Sequence, residues 1–157
     1  MRRLTMPLFL LALIALTLAP WACSLFTPDV NDTTLDEIAV NHDQLKSMLV
    51  NEKHRTVLVD VRQPEKYAKC HISGAINIFL PQIVADDPRL GDAYDIVVYG
   101  NDLFDQLGIV GPKKMLLLGY KNIHAYRGGL QDWMKNGERT EGTEATTKPA
   151  TRPATRP

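Results

Sequence analysis

The sequence predicts an α/β fold in which a parallel sheet is covered by helices on both faces. Three short runs, at residues 57–61, 75–78 and 96–99, are almost wholly apolar, which is typical of buried strands. Segments with helical spacing of apolar residues separate them, and parallel strands require such crossovers. In sheets of this kind ligands bind beyond the carboxyl ends of the strands. The segment that follows Tyr99 is therefore the foremost candidate for a functional site.

The other elements also have local signals. Pro64 suits the first position of a helical turn that extends to Ala68. Gly119 is a plausible cap for a helix that ends with residues 115–118. The remaining predictions are a short apolar run at 38–40, a helix over 42–50, a strand over 122–126, and a last helix over 130–136 with Leu130, Trp133 and Met134 on one side.

Composition excludes several classes of protein. The chain has 157 residues, of which 45% are hydrophobic and 23% charged, which suits one domain with one core. Its net charge of zero excludes a strongly basic nucleic-acid-binding protein. Residues 23–147 carry 13 Lys and Arg against 18 Asp and Glu, so the body has a net charge of −5. Two cysteines exclude a disulfide-dense scaffold and a four-cysteine zinc site.

The N-terminus has the features of an export signal. Arg2 and Arg3 precede an unbroken apolar run over 8–19, a length typical of a signal peptide and short for a membrane span. Residues 1–22 are therefore predicted to be a signal peptide of the lipoprotein type, with Cys23 as the lipidated residue. The predicted location is the cell membrane or the periplasmic, extracytoplasmic side. Pro20 departs from the usual pattern, so an uncleaved anchor and secretion with a free Cys23 stay open.

Three further segments follow the signal. Residues 23–34 are polar and predict a spacer, and residues 35–137 form the predicted domain. Residues 138–157 are expected to be a disordered tail. The last part of this segment repeats Thr, a cation, Pro and Ala with a period of four, and a proline at every fourth position prevents a helix. The tail either remains solvated or binds anionic envelope polymers or lipids weakly.

Three segments together resemble the rhodanese-like (sulfurtransferase) family. They are LVDVRQPEKYAKCHISGAINI at 58–78, LGYKNI at 118–123 and RGGLQDW at 127–133. The resemblance implies a five-stranded parallel sheet flanked by helices. It implies that Asp60, Arg62 and His71 brace the structure, rather than contact substrate or act as a base or metal ligand. No metal and no cofactor is implied.

The resemblance ends after the strand at 96–99. An active family member has a cysteine there, then a loop with a cation and the start of a helix, which together hold an anionic sulfur. Here the segment reads Gly100, Asn101, Asp102, Leu103, Phe104, Asp105, so glycine stands at the nucleophile position and Asp105 at the position of the cation. Gly108 and Pro112 predict a helix that begins only near Pro112. No catalytic residue is carried over from the family.

These observations favour a non-catalytic binding module over an enzyme. Residues 86–105 contain six carboxylates and one cation, Arg89. The expected partner is therefore a protein or a small cationic ligand, and weak Ca²⁺ binding is the lesser alternative. The competing hypothesis is a sulfurtransferase that uses Cys70, which lies beside His71. Phosphatase chemistry would need a Cys-x5-Arg loop, which the sequence lacks.

Overall fold

The structure is a computed structural model that describes residues 32–145, with side chains from Leu35 onward. The predicted signal peptide, Cys23 and the repeats from Thr147 onward lie outside the described residues. The helices are Asp32–Glu37 (α1), His42–Leu49 (α2), Pro64–Lys69 (α3), Gln106–Leu117 (α4) and Gly129–Lys135 (α5). The strands are Thr56–Asp60 (β1), His71–Ile72 (β2), Ile76–Asn77 (β3), Asp95–Tyr99 (β4), Ile123–Tyr126 (β5) and Thr140–Glu141 (β6).

The main sheet is parallel and has the order β3-β1-β4-β5. Asp60 is in register with Tyr99, and Tyr99 with Tyr126, so these three strands end at the same edge. Beyond β5, Ala39 forms a single parallel bridge with Ala125, and the Ala125 N–H donates to the Ile38 carbonyl at 2.9 Å. The predicted parallel sheet flanked by helices is confirmed, with four full strands and a fifth position held by one bridge.

Each face of the sheet buries its own apolar cluster. One cluster places Val59, Val61 and Val98 against Met115 of α4. The other places Leu58, Val97 and Tyr99 against Leu45 of α2 and against Leu130 and Trp133 of α5. Trp133 is therefore a core residue, as predicted. Met134 is 37% exposed, so its predicted place on the buried side of this helix is wrong.

The folded body extends further than predicted at both ends. Strand β6 pairs antiparallel with β2, with His71 opposite Glu141, and the Trp133 indole N–H donates to the Arg139 carbonyl at 2.9 Å. Residues 138–145 thus belong to the domain rather than to the tail. Helix α1 begins at Asp32, inside the predicted spacer, because Leu35 is buried. Within residues 32–145, no helix is both long and apolar enough to cross a membrane.

Helix α4 begins at Gln106, so the predicted start near Pro112 is wrong. The glycines and the proline that predicted a late start form its buried face. A Cβ atom on Gly111 would lie 3.1 Å from the side chains of Val61 and Val98, which shows how closely the helix approaches the sheet. An interior proline costs a helix about 3 kcal/mol, and burial of this face offsets that cost. The predicted end at Gly119 is confirmed, with φ of 89° and a Tyr120 N–H bond to the Met115 carbonyl at 3.2 Å.

Candidate functional site

The candidate site is the loop over residues 100–105, which we call the site loop. It follows the carboxyl end of β4 and leads directly into α4. The first turn of α5 holds it from the side: the Leu130 N–H donates to the Gly100 carbonyl at 3.1 Å and the Gln131 N–H to the Asn101 carbonyl at 2.9 Å. The amides at this end of α5 are therefore already bonded within the chain.

Asp105 caps helix α4. Its Oδ1 atom accepts the Leu107 N–H at 3.0 Å, and its Oδ2 atom accepts the Asn101 N–H at 2.6 Å. A carboxylate at a helix N-terminus satisfies otherwise unpaired amides and interacts favourably with the helix dipole. The chain thus supplies its own anion at the junction of the site loop and the helix.

Gly100 has no room for a side chain. An added Cβ atom would lie 2.8 Å from the Asp105 Oδ2 atom and 2.8 Å from the Gly108 backbone nitrogen. Gly108 belongs to the first turns of α4, so the helix N-terminus lies directly against Gly100. A helix that began near Pro112, as the sequence predicted, would have had its N-terminus further from Gly100, and this too is corrected by the structure.

Asp102 shapes the tip of the site loop. Its carboxylate accepts the Phe104 N–H at 2.9 Å and the Asn101 side-chain amide at 2.8 Å. The hydrogen bond from Asn101 lowers the pKa of Asp102 most, and the hydrogen bond from Phe104 lowers it further. The resulting turn directs two apolar side chains outward, and Leu103 is 48% and Phe104 84% exposed.

A groove of about 410 Å³ lies between the tip of the site loop and α5. We call it the loop groove; its lining is Asp102, Leu103, Phe104, Gly128, Gln131, Asp132 and Lys135. The Asp132 carboxylate accepts the Tyr126 hydroxyl at 2.6 Å, and burial together with this bond raises the pKa of Tyr126. Asp132 was not among the predicted site residues. Its only sequence signal is its place in the first turn of the helix that begins at Gly129.

The predicted acidic crevice is only partly present. Asp86, Asp87, Asp92 and Asp95 precede or begin β4, so they lie towards its amino end, whereas Asp102 and Asp105 lie beyond its carboxyl end. Three of the four have partners there: Asp87 binds Arg89 at 2.6 Å, Asp95 binds His124 at 3.0 Å, and Asp92 pairs with Arg55. The carboxylates that do surround the site loop are Asp102, Asp105 and Asp132, and none of them forms an ion pair with another described residue.

Asp60 and Arg62 form a buried ion pair behind the site loop. Arg62 Nη2 lies 2.6 Å from Asp60 Oδ2 and donates also to the Cys70 carbonyl at 2.7 Å. Burial alone would lower the pKa of Arg62, but the hydrogen bonds and charge of Asp60 raise it. The pair ties the end of β1 to the turn that follows α3. Both side chains are buried, and their role as a brace stays a prediction.

His71 and Cys70 are neighbours without forming a reactive pair. The His71 Nδ1 atom bonds the Tyr67 carbonyl at 2.8 Å, and its ring stacks on the Tyr67 ring at 3.8 Å. The Nε2 atom lies 3.7 Å from a carboxylate oxygen of Glu141. Cys70 is a half-buried free thiol that packs against the apolar cluster of α2 and α5. Both ring nitrogens of His71 therefore face partners other than the thiol.

No group of three or more His, Cys, Asp or Glu side chains between residues 32 and 145 is placed to hold a metal ion.

Known proteins resemble this chain over most of the described domain. The sequence model of the Rhodanese-like domain family matches residues 41–136. A protein named adenylyltransferase and sulfurtransferase UBA4, from Candida albicans, is 30% identical over 109 residues. The match covers 62% of this chain but only 24% of that relative, so the chain spans about a quarter of its length.

Solved structures share the fold. The BH2092 protein from Bacillus halodurans has a TM-score of 0.64 at 25% identity, covering 72% of this chain and 82% of that one. The rhodanese-like domain of the Anabaena Alr3790 protein has a TM-score of 0.57 at 26% identity, covering 76% and 87%. A thiosulfate sulfurtransferase from Pseudomonas aeruginosa is similar in fold alone. It is 22% identical, with a TM-score of 0.56, and the match covers 67% of this chain and 20% of that one. Together with the matched segments, these similarities show that the chain belongs to the rhodanese-like domain family.

Proposed function

We propose that this rhodanese-like domain is a non-catalytic binding module. The observation that carries the proposal is the contact between Gly100 and Asp105: the residue after β4 has no side chain, and the Asp105 carboxylate fills the space beside it. Sulfur transfer needs a thiolate at the functional site that can accept and hold the sulfur atom. Gly100 offers none, and the Asn101 and Leu107 amides that could support an anion are bonded to Asp105.

The charge of Asp105 also opposes an anionic sulfur donor. Two unit charges about 5 Å apart interact with roughly 3 kcal/mol at an effective dielectric constant near 20. An arginine at this position would attract a thiosulfate-like anion, whereas Asp105 repels it. Both catalytic features are thus replaced. Gly100 stands at the position of the nucleophile, and the Asp105 carboxylate stands at the position of the loop cation.

The exposed tip of the site loop supports a binding role. Phe104 and Leu103 present apolar surface at the carboxyl edge of the sheet, and Asp102 and Asp132 flank them. Exposed aromatic side chains in such surroundings are frequent anchors of protein interfaces. Charge complementarity favours a ligand that combines a cation with an apolar group, such as a basic segment of a protein.

Enzymatic inactivity is tested by thiosulfate:cyanide turnover of the full chain. We expect no turnover above that of a Cys70→Ser variant. Turnover that survives Cys70→Ser would contradict the proposal, because the chain would then be an enzyme that does not depend on Cys70.

Binding is tested with short synthetic peptides in which Arg stands beside Pro or Leu, titrated into the full chain. We expect Phe104→Ser to weaken binding, while Val84→Ser leaves it unchanged. Val84 is the matched control, since it is 55% exposed and lies outside the loop groove. Equal binding by the two variants would place the interaction elsewhere on the domain.

Export and lipid anchoring belong to the same proposal and rest on the N-terminal sequence alone. Arg2, Arg3, the apolar run over 8–19 and Cys23 support them. Metabolic labelling with a fatty acid should mark the chain and fail to mark Cys23→Ala. Labelling that persists in the variant would contradict lipidation at this residue.

A second candidate is a sulfurtransferase that uses Cys70, favoured by one observation. Cys70 is a free thiol whose carbonyl is bonded to Arg62, so it lies near the same edge of the sheet as the site loop. This hypothesis predicts that thiosulfate adds the mass of one sulfur atom to Cys70. Mass spectrometry of the treated full chain tests it, and absence of the adduct removes the candidate.

A further inference from the structure

The C-terminal segment of the chain has the chemistry that the loop groove would select. Residues 147–157 contain Lys148, Arg152 and Arg156, a proline at every fourth position, and no Asp or Glu. Proline-rich segments bind to aromatic surfaces with a small loss of conformational entropy, because their backbone is already restricted. This segment lies outside the described residues.

The loop groove has matching features. Asp102 and Asp132 on its rim, and Asp105 behind it, are without ion-pair partners within residues 35–145, and Lys135 is the one cation in the described lining. Phe104, which is 84% exposed, provides the apolar surface between them. The surface therefore carries net negative charge around an exposed aromatic ring.

The described chain ends on the same edge of the sheet as the site loop. The Glu144 N–H donates to the Lys69 carbonyl at 2.7 Å, which fixes the end of the described residues to the last turn of α3. The next residue, Cys70, is bonded to Arg62 just after β1, and β1 and β4 end in register. Residues beyond Ala145 can span at most roughly 40 Å, whereas a domain of this size is roughly 35 Å across. The C-terminal end of the segment, around Thr155 and Arg156, is therefore long enough to reach the loop groove.

We propose that residues 147–157 bind in cis to the loop groove, with proline rings against Phe104 and basic side chains beside Asp102 and Asp132. The inference rests on the proposed binding function and names an occupant for that surface. Ion pairs at an exposed rim are individually weak, but tethering raises the local concentration of the segment to the millimolar range. The segment is thus a reversible occupant that a basic partner must displace.

Site-specific photo-crosslinking of the full chain tests the proposal. Benzoylphenylalanine in place of Thr155 should crosslink to residues 102–104 or 131–135. Phe104→Ser should lower the yield by about fivefold, the change that roughly 1 kcal/mol gives, whereas Val84→Ser should not. The crosslinking yield should fall similarly in the triple variant Lys148→Glu, Arg152→Glu, Arg156→Glu. High salt should have the same effect. Crosslinks to other surfaces, or a yield that ignores these changes, would overturn the inference.

Isotope labelling separates the alternatives. In a mixture of heavy and light chains, crosslinks within one chain support binding in cis, and heavy–light crosslinks would overturn it in favour of a second copy. Should synthetic basic peptides bind the loop groove while the tail does not crosslink there, this inference fails and the proposed function stands. Should neither occur, the proposed function fails as well.

Discussion

A Cβ atom on Gly100 would lie 2.8 Å from the Oδ2 atom of Asp105. In the predicted correspondence with the family, these are the positions of the nucleophile and the loop cation, and a side chain at Gly100 would collide with the Asp105 carboxylate. Asp105 needs the space beside Gly100 to bond the Asn101 N–H, and Gly100 leaves that space open. The Asn101 and Leu107 amides are therefore satisfied by a carboxylate of the same chain.

Gly100→Ala should destabilise the domain. The new methyl group would press on the Asp105 carboxylate and on the Gly108 backbone nitrogen, and overpacking of this kind costs about 1–3 kcal/mol. Urea unfolding of the variant measures the loss. Adding Asp105→Ser should recover part of it by removing one of the two contacts. The control is Gly91→Ala, since the nearest atom to its new Cβ is 3.6 Å away; an equal loss in both variants would contradict the contact.

Asp105→Ala should remove the cap of α4. The Leu107 and Asn101 amides would lose their acceptor, and loss of an N-terminal cap costs about 1–2 kcal/mol. Asp105→Asn should lose less, because the amide oxygen still accepts a hydrogen bond. Thermal unfolding followed by circular dichroism compares the two. Identical melting temperatures for all three proteins would show that the cap contributes nothing to stability.

Arg62→Ala should be among the most damaging single changes. It would leave the Asp60 carboxylate buried without its partner, which costs about 3–5 kcal/mol, and would free the Cys70 carbonyl. Denaturant unfolding gives the value. A double variant, Asp60→Leu with Arg62→Met, removes both charges and should be much closer to the parent protein. If the double variant were as unstable as Arg62→Ala, an unpaired buried charge would not be the cause.

Glu138→Gln should lower stability at neutral pH and not in acid. The Lys46 ammonium at 2.7 Å, and then His42 at 3.1 Å, hold the pKa of Glu138 below its usual 4.5. A carboxyl whose pKa falls on folding stabilises the native state above its unfolded pKa, and this contribution disappears as pH falls through the folded pKa. The difference between parent and variant should therefore be at most about 1 kcal/mol at pH 7 and vanish below the folded pKa.

Unfolding free energies measured from pH 7 to pH 3 check this dependence. Glu144→Gln is the control, because Glu144 and its partner Lys69 are both well exposed. A difference for Glu138→Gln that persisted or grew in acid would have the wrong sign.

Local patterns predicted the strands of the parallel sheet and most helices, but not β2 and β6, because burial on both faces of a parallel sheet leaves a continuous apolar run in the sequence. Residues 57–61 and 96–99 are such runs, and the observed strands Thr56–Asp60 and Asp95–Tyr99 match them within one residue. The same reasoning failed for α4, because Gly111 and Pro112 oppose a helix in isolation. Close packing of this face against β1 and β4 outweighs that preference, and no local pattern records the packing.

The sequence by itself determined the family, the parallel sheet and the absence of a thiol after β4, since each depends on residue identity or on short-range periodicity. Only the tertiary structure decided what fills that place. In the structure, Asp105 is a cap that bonds both a loop amide and a helix amide. The acidic residues are divided between opposite ends of β4. Asp132 of α5 lies beside Phe104 in the same groove. These relations join residues through three-dimensional packing and hydrogen bonds, and such contacts leave no periodic trace in the chain.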